Sequence, residues 1–330
     1  MKYYFAPMEG VTGYIYRNAH HKFFPGIDKY YTPFVATNQN LKFKTREIND
    51  LLPEHNQGIP LVPQVISNNA THFVEMVKQI QEFGYEEVNL NLGCPSGTVV
   101  SKFKGSGFLA KPDDLDVFLD EIYSKLDVKL SIKTRIGKDS PEEFKRILAI
   151  YNKYPVYELT IHPRIRADFY KNKPNLEVFE EAVKESKNPI CYNGDLFTVE
   201  DCNQFHERFP EVPAVMLGRG LIRNPNLVLD TLHGETQGII MNCAAYQTLD
   251  KKVLKQFHDQ IYHDYQEVMS GDINTIHKMK ELWHYMSSLF TNYEQYEKKI
   301  KRTNKLSDYD RIIAELFRNE EIAHEAKPGF

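Results

Sequence analysis

Eight short strand-like runs recur along the first three-quarters of this chain, and between most of them lies a stretch with helical spacing. The runs are Tyr3–Ala6, Lys29–Val35, Leu61–Ile66, Glu87–Leu92, Leu130–Thr134, Tyr157–Ile161, Pro189–Asn193 and Ala214–Leu217. Stretches such as Ala70–Phe83, Pro112–Lys125 and Pro141–Tyr151 carry apolar residues three and four apart, the period of an amphipathic helix. Strands alternating with helices argue for a parallel sheet, and eight repeats argue for a closed (β/α)8 TIM barrel. A doubly wound open sheet is the competing arrangement, and polar motifs after nearly every strand favour the ring. From about Thr248 strand signals stop, and Leu249–Met269, Ile273–Phe290, Tyr293–Ile300 and Asp308–Ile322 read as helices. The expected division is a barrel over 1–242 and a small all-helical domain over 243–330.

Hydrophobic residues make up 42% of the 330, which supports a sizeable core. No apolar run reaches the length of a membrane span, and Met1-Lys2-Tyr3-Tyr4-Phe5-Ala6-Pro7 lacks a signal-peptide plan. Cys94, Cys191, Cys202 and Cys243 are scattered without a CxxC pair, so no metal site and no disulfide framework are expected. A cytoplasmic monomer is the expectation, since a reducing compartment suits such cysteines. The net charge of −4 gives no global attraction to nucleic acid, so any RNA contact must be local.

The strand ends carry the chemistry. Val88-Asn89-Leu90-Asn91-Leu92 stops at Gly93-Cys94-Pro95, followed by Val99 and Gly105-Ser106-Gly107. A cysteine is thus delivered to a strand-end turn, where barrel enzymes keep reacting groups, and the glycine-rich segment reads as a loop able to move over a site. A buried structural cysteine would satisfy the same pattern. Ala6-Pro7-Met8-Glu9-Gly10-Val11 is a turn that can lie flat against a planar ring. Gln64 is a polar residue ending an apolar strand, and it needs partners. Lys133 and Arg135 sit two apart and so share one face of their strand. His162 follows Glu158–Ile161, Asn193-Gly194-Asp195 follows Pro189–Tyr192, and Gly218-Arg219-Gly220 follows Ala214–Leu217. Glycines after the last two strands of a barrel commonly expose backbone N–H groups to a phosphate. Six strand ends together suit one phosphorylated planar cofactor.

These motifs, in this order from Ala6 to about Pro225, resemble those of the tRNA-dihydrouridine synthases, flavin enzymes that reduce uridine in tRNA. The resemblance implies FMN on Pro7, Met8, Glu9, Gln64, Lys133, His162, Asn193, Gly194, Asp195, Gly218 and Arg219. It implies Cys94 as the proton donor, and Asn91, Arg135 and Tyr170 near the target uracil. Met8-Glu9-Gly10-Val11 and Ile276-His277-Lys278-Met279-Lys280 look like the bacterial subgroup acting on position 16. One departure is His162-Pro163-Arg164-Ile165, where the family often has His-Gly-Arg-Thr; proline removes a backbone donor there.

Reducing the C5–C6 bond of uracil takes a hydride at C6 and a proton at C5. No side chain gives hydride, so a cofactor must. A thiol, with an ordinary pKa near ~8.5, is protonated at neutral pH and suits the proton. Arg135, or Lys133 beside it, can stabilise charge on the uracil carbonyl. NADPH or NADH would reduce the flavin; no GxGxxG follows a strand, so a separate Rossmann site is not indicated. A stacked uridine must be flipped out to react, and Lys278 and Lys280, with Lys251, Lys252 and Lys255, are candidate phosphate contacts on the helical domain. An FMN barrel acting on a small pyrimidine such as dihydroorotate shares most of these features. A non-catalytic RNA-binding protein is a third reading.

Overall fold

A computed structural model describes residues 1–236 and 249–323. The expected boundary at 242/243, together with Cys243 and Thr248, lies outside the described residues. The chain forms two compact units. The first comprises Met1–Pro7, Asp28–Asp195 and Pro210–Met216; the second comprises Met8–Ile27, Leu196–Phe209 and Leu217–Phe330 as far as it is described.

The first unit is built on ten short parallel strands. They are β1 (Lys2–Phe5), β2 (Lys29–Tyr31), β3 (Val35–Ala36), β4 (Leu61–Val62), β5 (Gln64–Ile66), β6 (Glu87–Leu92), β7 (Lys129–Gly137), β8 (Leu159–Ile165), β9 (Ile190–Asn193) and β10 (Ala214–Leu217). Their order is β3-β5-β6-β7-β8-β9-β10-β1-β2-β4. The two ends of that order are one seam. Pro33 interrupts the run that gives β2 and β3, and Pro63 the run that gives β4 and β5. Tyr30 pairs with Leu61 below the prolines, and Val35 with Val65 above them. Proline withholds a ladder donor, so each barrel strand breaks and resumes; counted as continuous, the ten become eight in a closed ring. The expected (β/α)8 barrel is therefore the observed fold.

Side chains alternate across each strand. Tyr4, Ala6, Tyr31, Val62, Cys191, Ala214 and Met216 form one buried cluster. Helices α1 (Tyr14–Phe23), α2 (Thr45–Leu51), α3 (Ala70–Gln81), α4 (Gly97–Val100), α5 (Pro112–Lys125), α6 (Glu143–Tyr151) and α7 (Leu176–Glu185) come between strands. All but α1 belong to the first unit.

In the second unit, α1 is joined by α8 (Val199–Arg208), α9 (Arg219–Arg223), α10 (Leu227–Thr236), α11 (Lys251–Val268), α12 (Asp272–Met286), α13 (Tyr293–Arg302) and α14 (Leu306–Asn319). The ring of Phe257 on α11 meets Tyr16 and Phe24 at centroid distances of 5.6 and 5.2 Å. His20 on α1 bonds the Pro225 carbonyl at 3.1 Å, and burial pushes its pKa down to about 3. Trp283, fully buried, donates to the Tyr309 hydroxyl at 2.7 Å. Among the described residues no helix is long and apolar enough to cross a membrane.

Candidate functional site

The turn after β6 is held from three sides. Asn91 Oδ1 accepts the N–H groups of Gly93 and Cys94, each at 3.0 Å, a side chain standing in for the next backbone carbonyl. The Cys94 carbonyl accepts Ser106 N at 3.1 Å and Ser106 Oγ at 2.8 Å. Gly105 lies against it at φ +55°, where a Cβ would sit 2.9 Å from the Cys94 carbonyl oxygen. No other residue allows both that approach and that backbone at low cost. The segment expected to be a loop that moves over the site is here two short helical turns, Gly97–Val100 and Gly105–Ala110, with Gly105, Ser106 and Gly107 buried. Cys94 is half-buried, whereas Cys191 and Cys202 are buried.

Period two brings Lys133 and Arg135 to the inner face, as expected. Lys133 Nζ donates to Asn193 Oδ1 at 2.7 Å, and Asn193 Nδ2 donates to the Met216 carbonyl at 2.7 Å. Burial, with Arg135 nearby, lowers the Lys133 pKa to about 8. Arg135, 1% exposed, donates through Nε to Gly93 O, and through its terminal nitrogens to Ile165 O and Phe169 O, at 3.0, 2.8 and 2.7 Å. Its guanidinium also lies over the Tyr170 ring, 5.5 Å from the centroid. Arg135 thus ties the Cys94 turn to the segment after β8, which exposes Tyr170 and Phe169. Burial lowers its pKa.

β8 begins later and runs further than expected, through Pro163 to Ile165. The β7–β8 register shifts between Arg135 and Gly137, and such irregularities are where a strand tolerates proline. His162 is consequently inside the strand, its ring 6.0 Å from that of Tyr170. Its Nε2 lies 3.0 Å from a terminal nitrogen of Arg164. Arginine only donates, so His162 Nε2 is the acceptor in this contact. Arg164, 1% exposed, also forms a two-pronged pair with Asp195. The sequence reading missed Arg164, although it stands two residues beyond His162 on the same face. Gly194 lies beside Tyr192, whose ring and hydroxyl fill the space a Cβ would need. The structure thus brings Gln64, Asn91, Cys94, Lys133, Arg135, His162, Tyr170, Asn193, Gly194 and Asp195 together in the first unit.

Pro7, also of the first unit, stands two residues after the end of β1 and is half-buried. In the second unit Met8 closes a tight turn, its N–H donating to Thr12 Oγ1 at 2.8 Å. Glu9 is exposed. Gly218 and Arg219 open α9, with the Arg219 guanidinium 5.2 Å from the Phe197 ring centroid. Lys278 does not stand free: it donates to the Gly10 carbonyl and to Glu281, both at 2.8 Å. Lys280 donates to Asn304 Oδ1 at 3.2 Å. Among the described residues, the one trio of potential metal ligands, His263, Asp264 and Glu267, has its histidine and Glu267 exposed on α11.

A family model described as dihydrouridine synthase (Dus) matches residues 4–323. The tRNA-dihydrouridine(16) synthase of Pseudomonas putida is 28% identical over 232 residues, 68% of this chain and 71% of that protein. A probable tRNA-dihydrouridine synthase of Staphylococcus aureus is 27% identical, over 67% of this chain and 68% of its own. Among solved structures, a 2-naphthoyl-CoA reductase in complex with 2-naphthoyl-CoA has a TM-score of 0.54 at 10% identity, covering 71% of this chain and 50% of that one. TcOYE with pHBA has a TM-score of 0.51 at 11% identity, covering 71% and 89%. At these identities the solved structures speak to the fold alone.

Proposed function

This chain belongs to the dihydrouridine synthase family, and we propose that it reduces the C5–C6 double bond of a uridine in the D loop of tRNA, with FMN as its bound cofactor and NADPH or NADH as reductant. The names of the Pseudomonas putida and Staphylococcus aureus relatives support tRNA as the substrate, and the former supports position 16. The single observation that carries the reading is the Cys94 turn: a half-buried thiol whose main chain is fixed by Asn91, Ser106 and Gly105, on the same barrel end as Lys133.

The donor set suits a planar, acceptor-rich ring. Lys133 is a cation with a neutral carboxamide as its hydrogen-bond partner, and among the described residues no carboxylate forms an ion pair with it. A part-buried ammonium so placed calls for further oxygen or nitrogen acceptors. Gln64, Lys133, His162, Asn193, Gly194 and Asp195 are the proposed contacts in the first unit, with Pro7. Met8, Glu9, Gly218 and Arg219 are those proposed in the second. When bound, the flavin supplies the hydride that no side chain can give.

The chain's own residues do the rest. Cys94 holds a proton at Sγ and passes it to C5 of the uracil. Asn91 keeps the cysteine turn in place and faces the base. Arg135 holds the Tyr170 segment beside that turn, and its charge stabilises the uracil carbonyl as reduction proceeds. Lys278 and Lys280 are the proposed contacts to the RNA.

Cys94→Ala is the direct check. Flavin reduction by NADPH should stay near wild type, and dihydrouridine formation in bulk tRNA should fall about 10²–10⁴-fold, the usual worth of a general acid. Dihydrouridine at the wild-type rate would remove Cys94 from the chemistry. Faster NADPH oxidation with orotate or free uracil than with tRNA would overturn the substrate.

A further inference from the structure

Donors and acceptors inside the barrel run in one direction from the Cys94 turn to the far end of the strands. Gly93 N and Cys94 N donate to Asn91 Oδ1. Asn91 Nδ2 donates to Gln64 Oε1 at 2.7 Å, and Gln64 Nε2 donates to Asn89 Oδ1 at 2.8 Å. Asn89 Nδ2 donates to Ser131 Oγ at 3.0 Å, and Ser131 Oγ donates to Glu87 Oε1 at 2.8 Å. The second oxygen of Glu87 accepts Lys29 Nζ at 2.8 Å. Glu87 is the first residue of β6, at the opposite end of the strand from the cysteine turn.

Three links of this chain are carboxamides, whose oxygen and nitrogen ends have nearly the same shape. Shape alone would let each one turn over. Chemistry at the two termini forbids it. A backbone N–H can only donate, so Asn91 must show it an oxygen, and the Asn91 nitrogen then faces Gln64. A carboxylate can only accept, so Ser131 must aim its proton at Glu87 and its lone pair at Asn89. Worked from opposite ends, the two constraints demand the same orientation of Gln64. Gln64, Asn89 and Ser131 are each 0% exposed, so no bulk water can bridge a mismatch between them.

We infer that Glu87 is a positioning residue for the Cys94 turn: from the base of the barrel its carboxylate fixes which atoms Asn89, Gln64 and Asn91 present to one another and to the cysteine backbone. Replacing it by glutamine leaves one oxygen for two donors. Lys29 takes that oxygen, and the new N–H faces Ser131. The serine proton then turns to Asn89, the orientation reverses link by link, and Asn91 meets the Cys94 N–H with a donor of its own. The importance of this for catalysis rests on the proposed role of Cys94, but the orientation itself does not.

The experiment therefore reads thiol chemistry rather than turnover. Iodoacetamide alkylation of Cys94 is followed by peptide mass against pH in the full-length wild type, Glu87→Gln, Ser131→Ala and Tyr4→Phe. Tyr4→Phe removes the 2.7 Å bond from Tyr4 to Glu158 at the same end of the barrel and leaves the relay intact. Glu87→Gln and Ser131→Ala should each change the Cys94 rate at fixed pH by about tenfold, the effect of one mismatched buried hydrogen bond, while Tyr4→Phe keeps the wild-type profile. An unchanged profile in either relay variant overturns the inference, and so does an equal change in Tyr4→Phe, which would mean general loosening. Should Glu87→Gln not fold, Ser131→Ala decides alone, with an unchanged profile counting against. Failure of Cys94→Ala to slow tRNA reduction would strike the proposed function and leave this result standing.

Discussion

Lys133 shows how a single side chain carries both a cost and a use. Its folded pKa, about 8, lies below the ordinary 10.5, so folding without a ligand disfavours the charged form. The penalty is full below about pH 8 and fades as pH rises to 10.5. Lys133→Met should then stabilise the flavin-free protein at pH 7, by on the order of 1–3 kcal/mol, with the gain shrinking towards pH 10.5 in thermal melts. The same variant should bind FMN more weakly. In the wild type, affinity should fall above pH 8 by up to about tenfold per unit, because binding must then take up a proton. A flat titration between pH 7 and 9.5 would detach Lys133 from the flavin. The pairing of Lys133 with Arg135 on one face was legible from their spacing alone. The partner Asn193 was legible only as a strand end, since which strands close the ring is a tertiary fact. Arg164 went unread because the expected strand stops at Ile161, while the observed one continues through Pro163 to Ile165.

The elements were read best where a run ends on an unambiguous breaker. β6, β10 and α5 have the bounds their residues suggest, each stopped by glycine or by loss of the apolar pattern. β2 with β3, and β4 with β5, were read as single runs, and each divides at its proline. β7 extends past Thr134 because Arg135 and Gly137 find partners on β8, pairings that no local propensity encodes. The turn after β6 and the turn carrying Gly105 form one device, which makes Gly105 its most exacting position. Gly105→Ala places a Cβ 2.9 Å from the Cys94 carbonyl oxygen and 3.0 Å from the Cys94 Cβ, at φ +55°. Backbone strain costs about 1–2 kcal/mol and overpacking about 1–3 kcal/mol more. The expected outcome is a lowered melting temperature together with slower dihydrouridine formation. Wild-type values of both would mean that the two turns are not coupled.

The change of texture near Thr248 announced a helical region, but not that the compact unit holding α11 to α14 also takes in Met8–Ile27. That partnership joins segments far apart in sequence, through α1 and the Phe257 ring on α11, and no window of residues contains both. Phe257→Ala should cost about 3–5 kcal/mol, read as a fall in the urea midpoint. At the scale of the whole molecule the net charge is −4, so binding to tRNA must come from local contacts. The candidate lysines are not equivalent. Lys251 pairs with Glu321, Lys255 with Asp259 and Lys278 with Glu281, and a lysine already neutralised releases few RNA counterions. Lys280 instead donates to the neutral Asn304. Lys280→Ala should therefore make the negative slope of log affinity against log salt shallower by about 0.7–0.9, the worth of one phosphate contact. Lys278→Ala should change the slope less, and act through the Gly10 turn that its ammonium holds. Filter binding of tRNA from 50 to 200 mM salt separates the two, and an unchanged slope in Lys280→Ala would put the RNA contact on other residues.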